Sequence, residues 1–117
     1  MAKTYSGGCQ CGKVRFEASA EIGEVMACNC SRCGRLGTLL TFVPKDDFRL
    51  LSGSDAVTEY LFNRHAIRHL FCATCGIESF AIGKKPDGQE MVALNARCLD
   101  DVDVDSFPVK KVNGKAF

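Results

Sequence analysis

At 117 residues, with 46% apolar and 25% charged side chains, the chain has the ordinary globular mix and enough length to bury roughly two-thirds of its unfolded surface, which excludes a disordered tail. No window approaches the ~18 to 20 apolar residues of a membrane span. A net charge of +1 gives no basic face of the kind that binds nucleic acid, so neither a membrane nor a nucleic-acid partner is expected.

The N-terminus MAKTYSGG has one lysine and no apolar run, so no secretory signal is expected and a cytoplasmic, thiol-reducing setting is. Eight cysteines in such a setting point to metal ligation or thiol chemistry before structural disulfides. With no linker, low-complexity run or charge block, a single domain over 1–117 is expected.

In chain order, Cys9 and Cys11 come first, followed by KVRFEA (13–18), where Val14, Phe16 and Ala18 alternate with Lys13, Arg15 and Glu17 as in a half-buried strand. Residues 28–33 read CNCSRC, three thiols badly placed for a disulfide between neighbours and expected to converge on one centre. TLLTFV (38–43) reads as a strand, and a short helical turn is expected from Pro44 to Phe48, with Asp46 and Asp47 at its positive end. AVTEYLF (56–62), IESFAI (77–82) and MVALNARC (91–98) add strands, and KKPDGQ (84–89) carries the Pro-Asp-Gly chemistry of a hairpin turn. No stretch sustains a 3.6-residue period for three turns, so the fold class predicted is mainly β, in antiparallel sheets with little helix. The basic tail VKKVNGKAF reads as a short solvated terminus.

The cysteines sort into a pair (Cys9, Cys11), a trio (Cys28, Cys30, Cys33), a second pair (Cys72, Cys75) and a single residue (Cys98). A structural zinc site takes four protein ligands, so the simplest division joins the two pairs and leaves the trio one ligand short, the pattern of catalytic zinc. Spacing alone leaves alternatives open. Cys30 and Cys33 are a C-x-x-C knuckle that could join Cys72 and Cys75 in a ribbon-like site, and Cys98 could complete the trio, although on the face of Val92, Leu94 and Ala96 it reads as a small core residue. His65 and His69, before the second knuckle in an extended-looking segment, could be ligands, acid–base groups, or packing and surface residues. Gly12, Gly34 and Gly76 each follow the last cysteine of a knuckle, where a left-handed turn would aim backbone N–H groups at sulfur.

GGCQCGKVRFE, CNCSRC, FCATCG and NARCLDDVD follow one another in the order and approximate spacing of the glutathione-dependent formaldehyde-activating enzyme family, whose domain also occurs in centromere protein V. The chain resembles that family from residue 5 to about residue 107. The resemblance implies a β-tent-like zinc-binding fold, with Cys9, Cys11, Cys72 and Cys75 around a structural zinc and Cys28, Cys30 and Cys33 around a second. Gly34 departs from the basic or bulky residue that members often carry after the third cysteine, and Arg35 follows it.

The implied activity is that of a carbon–sulfur lyase, forming or cleaving S-hydroxymethylglutathione, with zinc as cofactor and a small thiol such as glutathione as partner. Arg32 and Arg35, flanking Cys33, could pair with glutathione carboxylates or stand as solvated loop residues. Two other function classes fit the same cysteines: a non-catalytic zinc-binding interaction module, and a thiol or metal sensor whose trio releases zinc on oxidation.

Overall fold

The computed structural model describes residues 2–61 and 67–114. Ten strands account for nearly half of it: β1 (Lys3–Gly8), β2 (Arg15–Ala20), β3 (Val25–Cys28), β4 (Leu40–Pro44), β5 (Phe48–Ser52), β6 (Val57–Tyr60), β7 (Arg68–Cys72), β8 (Phe80–Lys84), β9 (Glu90–Asn95) and β10 (Val109–Val112). The single α-helix among the described residues is α1 (Ser31–Leu36). None of the described helices is long and apolar enough to cross a membrane.

The strands form a three-stranded sheet, β1-β2-β5, and a seven-stranded sheet, β10-β3-β4-β9-β8-β7-β6. Period two decides which side chains meet. Phe16 on β2, Val92 and Leu94 on β9 and Val25 on β3 are fully buried, while Arg15, Glu17 and Ser19, alternating with the buried residues of β2, reach solvent. Three aromatic rings knit the two sheets together: Phe16 lies 5.5 Å from Phe48 and 6.2 Å from Phe80, and Phe48 lies 4.9 Å from Phe80, centroid to centroid. Offset and edge-on ring pairs add about 0.5 to 1.5 kcal/mol each beyond the area they bury.

The mainly β expectation holds, with differences that matter for the site. The pairing of β10 with β3 is parallel, so the larger sheet is mixed. The first four residues of the tail read as a solvated terminus therefore form a strand, with Val109 opposite Val25 and Val112 opposite Cys28, and alternation was hidden because β10 is short and exposed along most of its length. The strand expected over 77–82 begins at Phe80, because Glu78 and Ser79 are buried in the preceding loop. The strand expected over 91–98 ends at Asn95, whose side chain accepts the Arg97 N–H and turns Ala96–Cys98 into a single 3-10 turn. Cys98 thus leaves the alternating face on which the sequence placed it, and burial pushes its thiol up to about 11.

Two turns follow the expected chemistry. Lys45–Asp47 forms a 3-10 turn with Pro44 at its N-cap. In the β8–β9 hairpin, Gly88 donates to the Lys85 carbonyl at 2.8 Å with a φ of +90°.

Candidate metal centres

The first cluster forms where the two sheets meet. Cys9 and Cys11 sit in the loop joining β1 to β2, Cys72 ends β7, and Cys75 lies in the turn after it; the four ligand sulfurs all fall within 4.8 Å of one another. The Cys9–Cys11 and Cys11–Cys72 sulfur separations are both 3.6 Å. Zinc–sulfur bonds of about 2.3 Å in a tetrahedron demand edges of about 3.8 Å, so the donor set fits such an ion.

Backbone N–H groups turn inward as the glycines allow. Gly12 and Gly76 have φ of +86° and +81°, and Val14 donates to the Cys9 sulfur at 3.3 Å. The Ile77 N–H, helped by that of Cys11, lowers the Cys75 thiol to about 6. Against the pull of the Lys13 N–H, desolvation and the neighbouring thiols push Cys11 up to about 11. Four adjacent sulfurs share few protons, and a dication relieves that crowding by taking all four as thiolates.

The second cluster holds Cys28 at the end of β3, Cys30 as the N-cap of α1 and Cys33 within its first turn, again with sulfurs inside 4.8 Å. The Cys30 sulfur accepts the Cys33 N–H at 3.3 Å, as an Asp or Ser oxygen would at that position. Burial, followed by the neighbouring Cys30, pushes the Cys33 thiol up to about 12. Thr38 Oγ1 is buried with no hydrogen-bond partner among the described residues, and the Thr38 side chain pulls against the rise of the Cys33 thiol. A hydroxyl that favours the thiolate form of Cys33 suits a metal-bound sulfur, so this donor set also fits an ion.

Gly34 does not behave like its two counterparts, because α1 runs through it and closes instead on Gly37, with φ of +73° and its N–H on the Cys33 carbonyl. The C-terminal segment covers this cluster. Asn29 donates from its side chain to Asn113 at 3.0 Å and from its backbone to the Val112 carbonyl at 3.1 Å, which brings Gly114 against Cys28.

Cys28, Cys30 and Cys33 line one end of a cavity of about 420 Å³, whose wall includes His69 and Glu78. Both are buried, with His69 Nδ1 3.4 Å from Glu78 Oε2. Arg32 donates to Glu78 Oε1 from Nε at 3.1 Å and from Nη2 at 2.7 Å, and lies 4.6 Å over the Tyr60 ring. Glu78 was invisible in the sequence, where it was one glutamate inside an expected strand. Its position three residues after Cys75 was the available signal, since that knuckle fixes the loop that carries it.

The structure thus brings Cys9 and Cys11 together with Cys72 and Cys75, gathers Cys28, Cys30 and Cys33, and keeps Cys98 out of both groups. The ribbon-like combination of Cys30 and Cys33 with Cys72 and Cys75 is absent. His69 joins Glu78 on the cavity wall, and His65 lies outside the described residues. Neither Arg32 nor Arg35 lines the cavity: Arg32 is engaged by Glu78, and Arg35 donates to the Ser31 carbonyl at 2.9 Å.

A Rhodobacter sphaeroides protein, solved as a Northeast Structural Genomics target, superposes with a TM-score of 0.76 at 29% identity, the match covering 90% of this chain and 99% of that one. The family model described as glutathione-dependent formaldehyde-activating enzyme matches residues 4–113, which contain both cysteine clusters and β10. The chain belongs to the glutathione-dependent formaldehyde-activating enzyme family.

Proposed function

We propose that this chain is a zinc-dependent carbon–sulfur lyase acting on the adduct of a low-molecular-weight thiol with an aldehyde, S-hydroxymethylglutathione being the example that the family description suggests. One observation carries the reading: three sulfurs converge at the end of a cavity, and among the described residues no fourth Cys, His, Asp or Glu joins them. Three protein ligands with a position left for substrate characterise catalytic zinc, whereas four closed ligands characterise structural zinc. Cys28, Cys30 and Cys33 are accordingly assigned to a reactive ion and Cys9, Cys11, Cys72 and Cys75 to a structural one.

When bound, the first of these ions supplies a position at which a substrate thiol gives up its proton near neutral pH. Three cysteine thiolates leave that position less attractive to a fourth anion than neutral ligands would, which suits a substrate that must come and go. The His69–Glu78 pair handles the other proton. In cleavage the hydroxymethyl O–H proton passes to the pair, the carbon–sulfur bond breaks with its electrons staying on sulfur, and formaldehyde leaves; addition runs the same steps backwards. Arg32 serves this chemistry through Glu78, which it holds in place from α1.

Exchange NMR on labelled formaldehyde with a thiol tests the reading. Intact zinc-loaded protein is expected to speed equilibration above buffer, and Cys30→Ser, which keeps a capping oxygen for α1, to abolish the effect. His69→Asn is expected to slow it by about a hundredfold or more, the usual share of a general acid–base group. No acceleration over buffer with any thiol tried would remove the lyase assignment.

A further inference from the structure

The seven-stranded sheet uses both faces. One packs on β1-β2-β5; on the other, His69, Ala81, Ala93 and Phe42 form a single cross-strand row, and Gly83 and Met91 pair in the row beyond it. The central positions, Ala81, Ala93 and Gly83, are small, while Phe42 and Ile67 stand up at the sides with 45% and 49% of their surface exposed. A side chain at Gly83 would meet only Ile67, at 3.6 Å. Small residues between large ones leave a trough, which is the cavity of about 420 Å³.

Its two ends differ in chemistry. Cys28, Cys30 and Cys33 lie at one, with His69 and Glu78; Lys84 and Lys85 line the other. From Ala81 to Lys85 is about 13 Å along the strand at about 3.3 Å per residue. Lys85 reaches Gln89 at 3.1 Å and lies 3.8 Å from an Asp87 carboxylate oxygen, an exposed and loose pair, and among the described residues no carboxylate pairs with Lys84. Between these ends the lining is apolar.

Glutathione suits that middle poorly. Its ammonium would have to compete with Arg32 for Glu78, and its two amides would lie on alanine, methionine and phenylalanine. Each polar group desolvated without a partner costs about tenfold in affinity. A hydrocarbon body loses nothing there, and a terminal anion would meet the two lysines.

We infer that the thiol taken by this site has an apolar body and an anionic far end, and is preferred to glutathione. The inference deepens the lyase reading and rests on it for the placement of the sulfur at Cys28, Cys30 and Cys33.

Met26 and Met91, two of the chain's three methionines, both line the trough, so methyl-labelled methionine reports on it directly. The zinc-loaded full chain is titrated with ω-(methylthio)decanoate, with the matching decanol and with S-methylglutathione, thioethers that bind without reacting. The decanoate is expected to saturate shifts of both methyls at a concentration at least about tenfold below that of S-methylglutathione. Charge reversal at the exposed pair, Lys84→Glu with Lys85→Glu, is expected to weaken the decanoate about tenfold and leave the decanol unchanged. Ala93→Phe, folded by its spectrum, is expected to block both.

Equal or tighter binding of S-methylglutathione would overturn the inference, as would silent methyls, indifference to the lysine reversal, or ligand-free shifts that grow with protein concentration and so place a second copy in the trough. The two readings fail separately. Decanoate binding as expected with no thiol turned over removes only the lyase reaction; catalysis with glutathione, and a trough that ignores the decanoate, removes only the apolar preference.

Discussion

Gly114 shows how little room surrounds the three-cysteine cluster. A Cβ there would stand 2.2 Å from the Cys28 sulfur and 3.2 Å from the Cys30 Cβ, distances no packing adjustment of a backbone-anchored knuckle absorbs cheaply. Gly34, beside Cys33 in the same cluster, is the natural control: a Cβ there meets the Asn29 carbonyl oxygen at 3.8 Å, ordinary contact. Gly114→Ala is therefore expected to retain the four-cysteine ion and lose the other, so that metal content after dialysis against a mild competitor falls from about two ions per chain to about one. Gly34→Ala is expected to keep both and to gain roughly 0.5 to 1 kcal/mol from its helical position. Equal metal content in the two variants would mean that the tail does not press on Cys28.

The same two residues mark where a sequence stops being readable at this scale. Gly34 was expected to make a left-handed turn because it follows a C-x-x-C pair, as Gly12 and Gly76 do. The expectation failed because Cys30 caps a helix, and a helix entered at Cys30 carries Gly34 through its interior. Gly114 gave no signal, since its importance comes from a sulfur 86 positions earlier in the chain.

At the scale of elements, α1 is the piece most dependent on its surroundings. Six residues are about half the length at which an isolated helix becomes even marginal in water, so it owes its existence to the Cys30 cap, the Gly37 stop and the Arg32–Glu78 bridge to the loop before β8. It could not be seen in the periodicity, because six residues hold fewer than two turns; the strands could, because alternation declares itself within four or five. The bridge itself is testable. Arg32 keeps a fifth of its side chain exposed and Glu78 about a sixteenth, so Arg32→Leu leaves a largely buried carboxylate short of its main partner. A loss of about 2 to 3 kcal/mol in urea unfolding is expected, at or below the lower end of the range for breaking buried pairs because of that exposure. Adding Glu78→Leu is expected to restore part of it. A single-variant loss under about 0.5 kcal/mol would class the bridge with ordinary surface pairs.

For the whole molecule, cysteine arithmetic reached further than strand prediction. It paired Cys9 and Cys11 with Cys72 and Cys75 across 61 residues, and that pairing ties the β1–β2 loop of one sheet to the end of β7 in the other. What it could not reach was the parallel β10–β3 pairing, which needs a long crossover and leaves no local pattern.

On the proposed zinc assignment, the same staple would make the fold conditional on that ion. Structural zinc contributes an apparent ~10 to 16 kcal/mol in small domains at neutral pH, against a typical total stability of roughly 5 to 15 kcal/mol. The three-cysteine cluster is different in kind, since Cys28, Cys30 and Cys33 lie within six residues and close almost no chain loop. A high-affinity chelator is therefore expected to abolish the cooperative thermal transition of the wild-type chain, followed by near-ultraviolet circular dichroism. Cys28→Ser, with the chelator left out, is expected to melt cooperatively within a few degrees of wild type. A wild-type transition untouched by chelation would leave Phe16, Phe48 and Phe80 as the principal link between the sheets and reduce the four sulfurs to passengers on a fold that stands without them.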